Sequence, residues 1–188
     1  KSERFIESIS REDAIEAGYL SRTEIHSFVE TPGVPRTESV LEILKEFPNV
    51  GSTMIFTRTR AECKSLTTAL VQMGLSATSL TSESENEVNR VLSDFEKKTV
   101  QFVVSCNKLG EGVDVKGCET AIIARSIGSD ILLNQIIGRT VRPDSRSMVY
   151  ELINPLSADN LSARDIVVEP ESHTLHWRVQ GQWRSSAV

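Results

Sequence analysis

The feature that most constrains this chain is an alternation. Between residues 37 and 153, short apolar runs alternate with amphipathic stretches, and the connections between them are short. Thr53-Met54-Ile55-Phe56, Leu75 to Leu80, Val100 to Cys106, Thr120 to Ala124 and Met148 to Ile153 read as buried strands. The stretches between them have helical spacing. Thr37, as N-cap, opens a helix carrying Val40, Leu41, Ile43, Leu44 and Phe47; Ala61 to Met73 puts Cys63, Leu66, Leu70 and Met73 on one face, with Gly74 as its C-cap. Ser82 or Ser84 caps a helix from Glu85 to about Lys97 with Val88, Val91, Leu92 and Phe95 inward, and Ser129 opens another to Ile137. Strands that alternate with helices lie parallel, because the helix carries the chain back across the sheet. The expected fold is therefore α/β, a parallel sheet flanked by helices on both faces. Ligands of such sheets sit beyond the carboxyl ends of the strands.

The two ends break the pattern. Arg11 to Leu20 reads as a helix ended by Gly18, followed by a strand from Glu24 to Glu30. Ile166 to Val168 and Thr174 to Val179 read as a hairpin around Pro170, in which His176, Arg178 and Gln180 alternate with Leu175, Trp177 and Val179. This divides the chain into a joining segment (1–35), an α/β domain (36–155) and a small C-terminal β extension (156–188).

Composition sets limits. The net charge is -5, so any attraction to a polyanion must be local. No apolar run approaches the ~18 residues that cross a bilayer, so no membrane partner is expected. Cys63, Cys106 and Cys118 lack metal-ligand spacing and read as reduced thiols, which suits a cytoplasmic (or nucleoid-associated) protein. His26, His173 and His176 show no metal spacing either.

Three runs carry candidate chemistry. Asn134 to Pro143 places Gln135, Arg139 and Arg142 three or four residues apart on a helix and its exit, with Gly138 allowing close approach. Arginine suits a phosphate clamp, being planar, permanently charged and bidentate. The plainer reading is a surface helix with paired arginines. In the second run, the strand Val103 to Cys106 leads into a loop holding Gly112 and Asp114. Asp114 suits a sugar hydroxyl, and Ser105, Cys106 and Asn107 stand where a nucleic-acid phosphate would pass; the alternative is an ordinary loop with Asp114 as a cap. In the third, the strand ending at Thr57 runs through Arg58 and Thr59 into a helix, whose first amides favour phosphate. The alternative there is capping by Thr59 with exposed arginines.

Together these runs resemble the second RecA-like domain of superfamily 2 helicases and translocases, a P-loop NTPase-type domain. Thr53 to Glu62 resemble motif IV, Leu109 to Val115 motif V, and Gln135 to Arg142 motif VI, over residues 36–155. The resemblance implies ATP held between two RecA-like domains, with Arg139, Arg142 and Gln135 facing its phosphates and Gly112, Asp114 and Gly138 contacting the nucleotide. It implies nucleic acid along Thr57, Arg58, Thr59, Ser105, Cys106 and Asn107. The partner is the N-terminal RecA-like domain of the same protein, which would hold Mg2+. No phosphate loop of the form G-x-x-x-x-G-K-[ST] occurs in the chain, so alone it is expected to be inactive as an ATPase.

Glu111-Gly112-Val113-Asp114, with Ile15 to Leu20, resembles the repair-helicase and restriction-motor branch more than the DEAD-box branch, which implies DNA. Cys106-Asn107 departs from the usual Thr-Asp or Thr-Asn. The other readings are an RNA helicase domain and a non-catalytic RecA-like adaptor. Trp177, Trp183, Arg178 and Arg184 fit packing of a β extension better than stacking on bases.

Overall fold

The computed structural model describes residues 13, 22–81, 84–106, 115–126, 137, 146–154, 156, 162–167 and 170–188. The helices expected over Arg11 to Leu20 and Ser129 to Ile137 lie outside these residues, except for Asp13 and Ile137, both helical.

The elements run β1 (Arg22–Val29), α1 (Arg36–Glu46), β2 (Thr53–Thr57), α2 (Arg60–Gln72), β3 (Ala77–Leu80), α3 (Glu85–Glu96), β4 (Phe102–Cys106), β5 (Thr120–Ile123), β6 (Arg146–Ile153), α4 (Ala163–Ile166), β7 (Ser172–Val179) and β8 (Gln182–Ala187). The strands form one eight-stranded sheet in the order β3-β4-β2-β5-β6-β1-β7-β8. All neighbours pair parallel except β7 and β8. This is the expected parallel sheet, with a C-terminal β extension joined to its edge.

Helices cover both faces, and strand alternation assigns each side chain to one of two cores. On one face Met54, Phe56, Val103, Ala121, Ile123, Val149 and Ile25 meet Val91 and Phe95 of α3 and Ala163 of α4. On the other, Ile55, Phe102, Val104, Ile122, Tyr150, Leu152 and Phe28 meet Val40, Ile43 and Leu44 of α1 and Cys63, Leu66 and Leu70 of α2. Every residue of β2, β4 and β5 is buried, as expected of central parallel strands.

Several boundaries differ from the sequence reading: Thr37 lies inside α1, whose N-cap is Pro35, β1 and β6 each start two residues earlier, and three further differences have a local reason. β3 starts at Ala77 because Leu75 belongs to the end of α2: its N–H reaches the Leu70 carbonyl at 3.1 Å, past Gly74 at φ +81°. β4 starts at Phe102 because Val100 and Thr99 bond back to Asp94 in the turn after α3. The C-terminal hairpin does not turn at Pro170. Residues 163–166 are helical, and β7 pairs with β8 through Gln180 (φ +51°) and Gly181 (φ +79°), the two positive angles of a type I′ turn.

Residues 22–29, read as part of a joining segment, form β1 between β6 and β7 in the same sheet, with Ile25 and Phe28 fully buried.

Candidate nucleotide and nucleic-acid interface

The carboxyl ends of β2 and β4 lie side by side, with Thr57 opposite Cys106. Thr57 is fully buried, and its hydroxyl donates to the Ser105 carbonyl at 3.3 Å. Ser105 is itself buried and faces the α3 side, beside Phe56 and Leu80. Its hydroxyl has no hydrogen-bond partner among the described residues. Cys106 is buried in the other core near Cys63, whose thiol donates to the Val104 carbonyl at 2.9 Å. Burial, then the neighbouring Cys106, pushes the Cys63 thiol up to about 11, so it stays protonated and unreactive. Thr57, Ser105 and Cys106 therefore underlie the strand exit and do not line its surface.

Arg58 and Thr59 do reach the surface. Thr59 is the N-cap of α2: its hydroxyl accepts from the Glu62 N–H at 3.1 Å, and the Glu62 carboxylate accepts from the N–H groups of Arg58 and Thr59 at 2.9 and 3.0 Å. This capping box satisfies two amides that the helix start would otherwise offer to an anion. A phosphate placed at this exit would meet the exposed Arg58 and Arg60 side chains and the Thr59 hydroxyl, with the Arg58, Thr59 and Glu62 N–H groups already occupied. The structure brings Thr57, Arg58, Thr59, Ser105 and Cys106 to one place. Asn107, Gly112, Asp114, Gln135, Gly138, Arg139 and Arg142 lie outside the described residues.

Two polar clusters escaped the sequence reading. On the α4 side, the buried Glu151 carboxylate accepts from Ser27 Oγ at 2.6 Å, Ser162 Oγ at 2.7 Å and the Ala163 N–H at 2.7 Å. Ser27 Oγ also meets His173 Nε2 at 2.9 Å. On the α1 side, His26 Nδ1 and His176 Nε2 share a hydrogen bond of 3.0 Å, and His176 Nδ1 reaches Ser185 Oγ at 2.7 Å. Burial, then His26, pushes His176 down to about 4; burial also lowers His26, against the pull of Glu24. These lowered values favour the neutral rings at neutral pH, and one N–H of the pair is then shared between the two nitrogens. The only sequence signal was a carboxylate within the apolar run Met148 to Ile153, since the Ser27–Glu151, Ser27–His173 and His26–His176 partners lie more than 120 residues apart.

The two tryptophans have different surroundings. Trp183 packs edge-on against Phe28 and Phe47, and the Arg178 guanidinium lies 4.6 Å from its ring while bonding Glu42 of α1. Trp177 points to the other face and makes no ring contact among the described residues.

The model of the helicase conserved C-terminal domain matches residues 36–144, a span containing all three candidate runs. The chain belongs to this family. Among curated proteins, the ATP-dependent RNA helicases DDX42 of Mus musculus and of Homo sapiens are each 31% identical over 137 residues, or 71% of this chain. The helicase C-terminal chain spans only 14% of the length of each. Solved structures agree on the fold. A DEAD box protein from the hyperthermophile Methanococcus jannaschii superposes with a TM-score of 0.60 at 22% identity, over 76% of this chain and 38% of the other. The C-terminal domain of the DEAD-box protein Dbp5 gives 0.58 at 18%, over 74% and 79%. The expected kinship with the repair-helicase and restriction-motor branch finds no support among these relatives, which carry RNA helicase and DEAD-box names. The form Glu111-Gly112-Val113-Asp114 was too short a signal to set the branch.

Proposed function

We propose that this chain is the second motor domain of an ATP-dependent RNA helicase. The observation that carries the reading is the family match over 36–144, which spans the strand exit at Thr57 to Thr59 and the run Gln135 to Arg142. The RNA preference is supported by the names of the curated relatives, and it replaces the DNA expectation.

In this reading ATP and Mg2+ are held by a first RecA-like domain of the same protein, with Arg139 and Arg142 reaching the phosphates, Gln135 orienting them, and Gly112, Asp114 and Gly138 on the sugar side. ATP supplies the phosphoryl group whose transfer such arginines speed by roughly 10³ to 10⁵ fold. This domain's own surface then holds one nucleic-acid strand. Arg58 and Arg60 offer charge at the β2 exit, Thr59 offers its hydroxyl proton, and Asn107, the next residue in sequence after β4, is a further candidate contact. The buried Thr57, Ser105 and Cys106 support that track from beneath. Because Glu62 already takes the Arg58 and Thr59 N–H groups just before α2, side-chain charge dominates the grip there, so binding falls steeply with salt.

The test is the ATPase rate of a protein joining this domain to a first RecA-like domain, with RNA or DNA added. The reading expects RNA to stimulate turnover well above DNA. DNA stimulation equal to or above RNA restores the DNA reading, and no stimulation by either favours the adaptor.

A further inference from the structure

The C-terminal hairpin places a half-exposed apolar row where a nucleic-acid strand would leave the motor surface. Ile153 of β6 lies opposite Val29 of β1, and Trp177 of β7 lies opposite Arg184 of β8. Phe28 faces His176, so one further step of that register sets Val29 beside Trp177. The four residues thus form one row across β6-β1-β7-β8, on one face of the sheet. Ile153, Val29 and Trp177 are half-buried, and Arg184 is exposed. On the opposite face the same strands are packed, with Phe28 stacked on His176 and edge-on to Trp183, and Arg178 tied to Glu42.

Charge and position both point to one ligand. From Ser172 to Val188 the chain holds no acidic side chain, in a protein of net charge -5, and of its two arginines Arg184 lies on this face while Arg178 is tied to Glu42 on the other. The row lies near the carboxyl ends of β1, β6 and β7, the edge at which β2 releases Thr57 and Arg58. Trp177 is four strand spacings from β2, or about 20 Å. A nucleic-acid strand advances ~3.4 Å per nucleotide, so roughly six nucleotides bridge the two.

We propose that the row Ile153, Val29, Trp177 and Arg184 is a stacking platform for single-stranded nucleic acid leaving the motor surface. A base stacks on the Trp177 indole, Val29 and Ile153 form the apolar floor, and Arg184 pairs with the adjoining phosphate. Stacking on an aromatic face tolerates any base, so the platform holds the strand without reading its sequence. The inference rests on the nucleic-acid motor reading but uses a surface outside the family match.

The full chain is titrated with a fluorescein-labelled oligo-uridylate of about 12 nucleotides, a length within the usual site sizes for single strands. Anisotropy reports affinity, and tryptophan fluorescence reports stacking. Trp177→Ala is expected to weaken binding roughly tenfold, while Trp177→Phe keeps most of the affinity and loses the quenching. Trp183→Phe keeps the quenching. Arg184→Gln is expected to lower the salt slope by about one. Wild-type affinity in Trp177→Ala, quenching that survives in Trp177→Phe, or no binding by the wild-type chain overturns the platform. The motor reading is judged separately, by the RNA-stimulated ATPase of the joined protein. If stimulation persists while Trp177→Ala binds normally, only the platform falls. If Trp177→Ala weakens binding but nothing stimulates the ATPase, only the motor falls.

Discussion

The sheet has two halves built on different principles. β3, β4, β2 and β5 lie inside the family match; their interiors are apolar apart from buried hydroxyls, of which those of Thr53, Thr57 and Thr120 bond to main-chain carbonyls, and helices cover both faces. β6, β1, β7 and β8 lie outside it and are pinned by buried polar groups: Glu151 with Ser27 and Ser162, and His26 with His176. An apolar core tolerates many sequences of the right volume, whereas a buried polar cluster requires each partner to be present. The first half can thus carry a family's shared chemistry at its strand exits. The second half depends on hydrogen bonds between specific side chains.

That difference can be broken from either side, and the largest effect is expected in the apolar half. Phe95 is fully buried against the sheet, so Phe95→Ala is expected to cost about 3–5 kcal/mol, read as a lower denaturant midpoint. Next comes Glu151→Ala, at about 3 kcal/mol, because it leaves the Ser27 and Ser162 hydroxyls and the Ala163 N–H without their acceptor. A neutral outcome for Glu151→Ala would show that the polar half is not held by this cluster.

A pH series sharpens the comparison further. His176 binds its proton with a pKa of about 4 in the fold and about 6.5 unfolded, so between these values the unfolded chain holds more protons. Stability is therefore expected to rise with pH through that window and to fall as pH drops from 6.5 towards 4, with His26 acting in the same direction. Thermal melts at pH 7 and 4.5 should show a drop in Tm that His176→Gln reduces; an equal drop in both proteins assigns the effect elsewhere. The smallest effect belongs to the surface of the apolar half. Thr59→Ala removes the α2 cap and is expected to cost about 1 kcal/mol by the same melts, without changing the pH slope.

Legibility in the sequence follows the same division. β2, α2, α3 and β5 could be read because each is specified by neighbours in the chain: an apolar run, a cap, a helical period. Even the Thr59–Glu62 box is visible as a threonine three residues before a glutamate. The place of β1 between β6 and β7 could not be read, since its partners are more than 120 residues away and nothing local encodes them. The hairpin was partly legible. Gln180-Gly181 is a turn signal between alternating runs, but Pro170 competed with it and the alternation looked equally good on either side. At the candidate site, the sequence marked Thr57, Ser105 and Cys106 as contacts because they end strands. Their burial depends on how β2 and β4 pair under α2, which residue type alone does not reveal.

The most direct test of the motor assignment is the RNA-stimulated ATPase rate of the joined two-domain protein carrying Arg139→Ala. The proposed role predicts a loss of roughly 10³ fold or more in turnover, with the fold and RNA affinity retained. A rate within a few fold of the unmutated protein would contradict it.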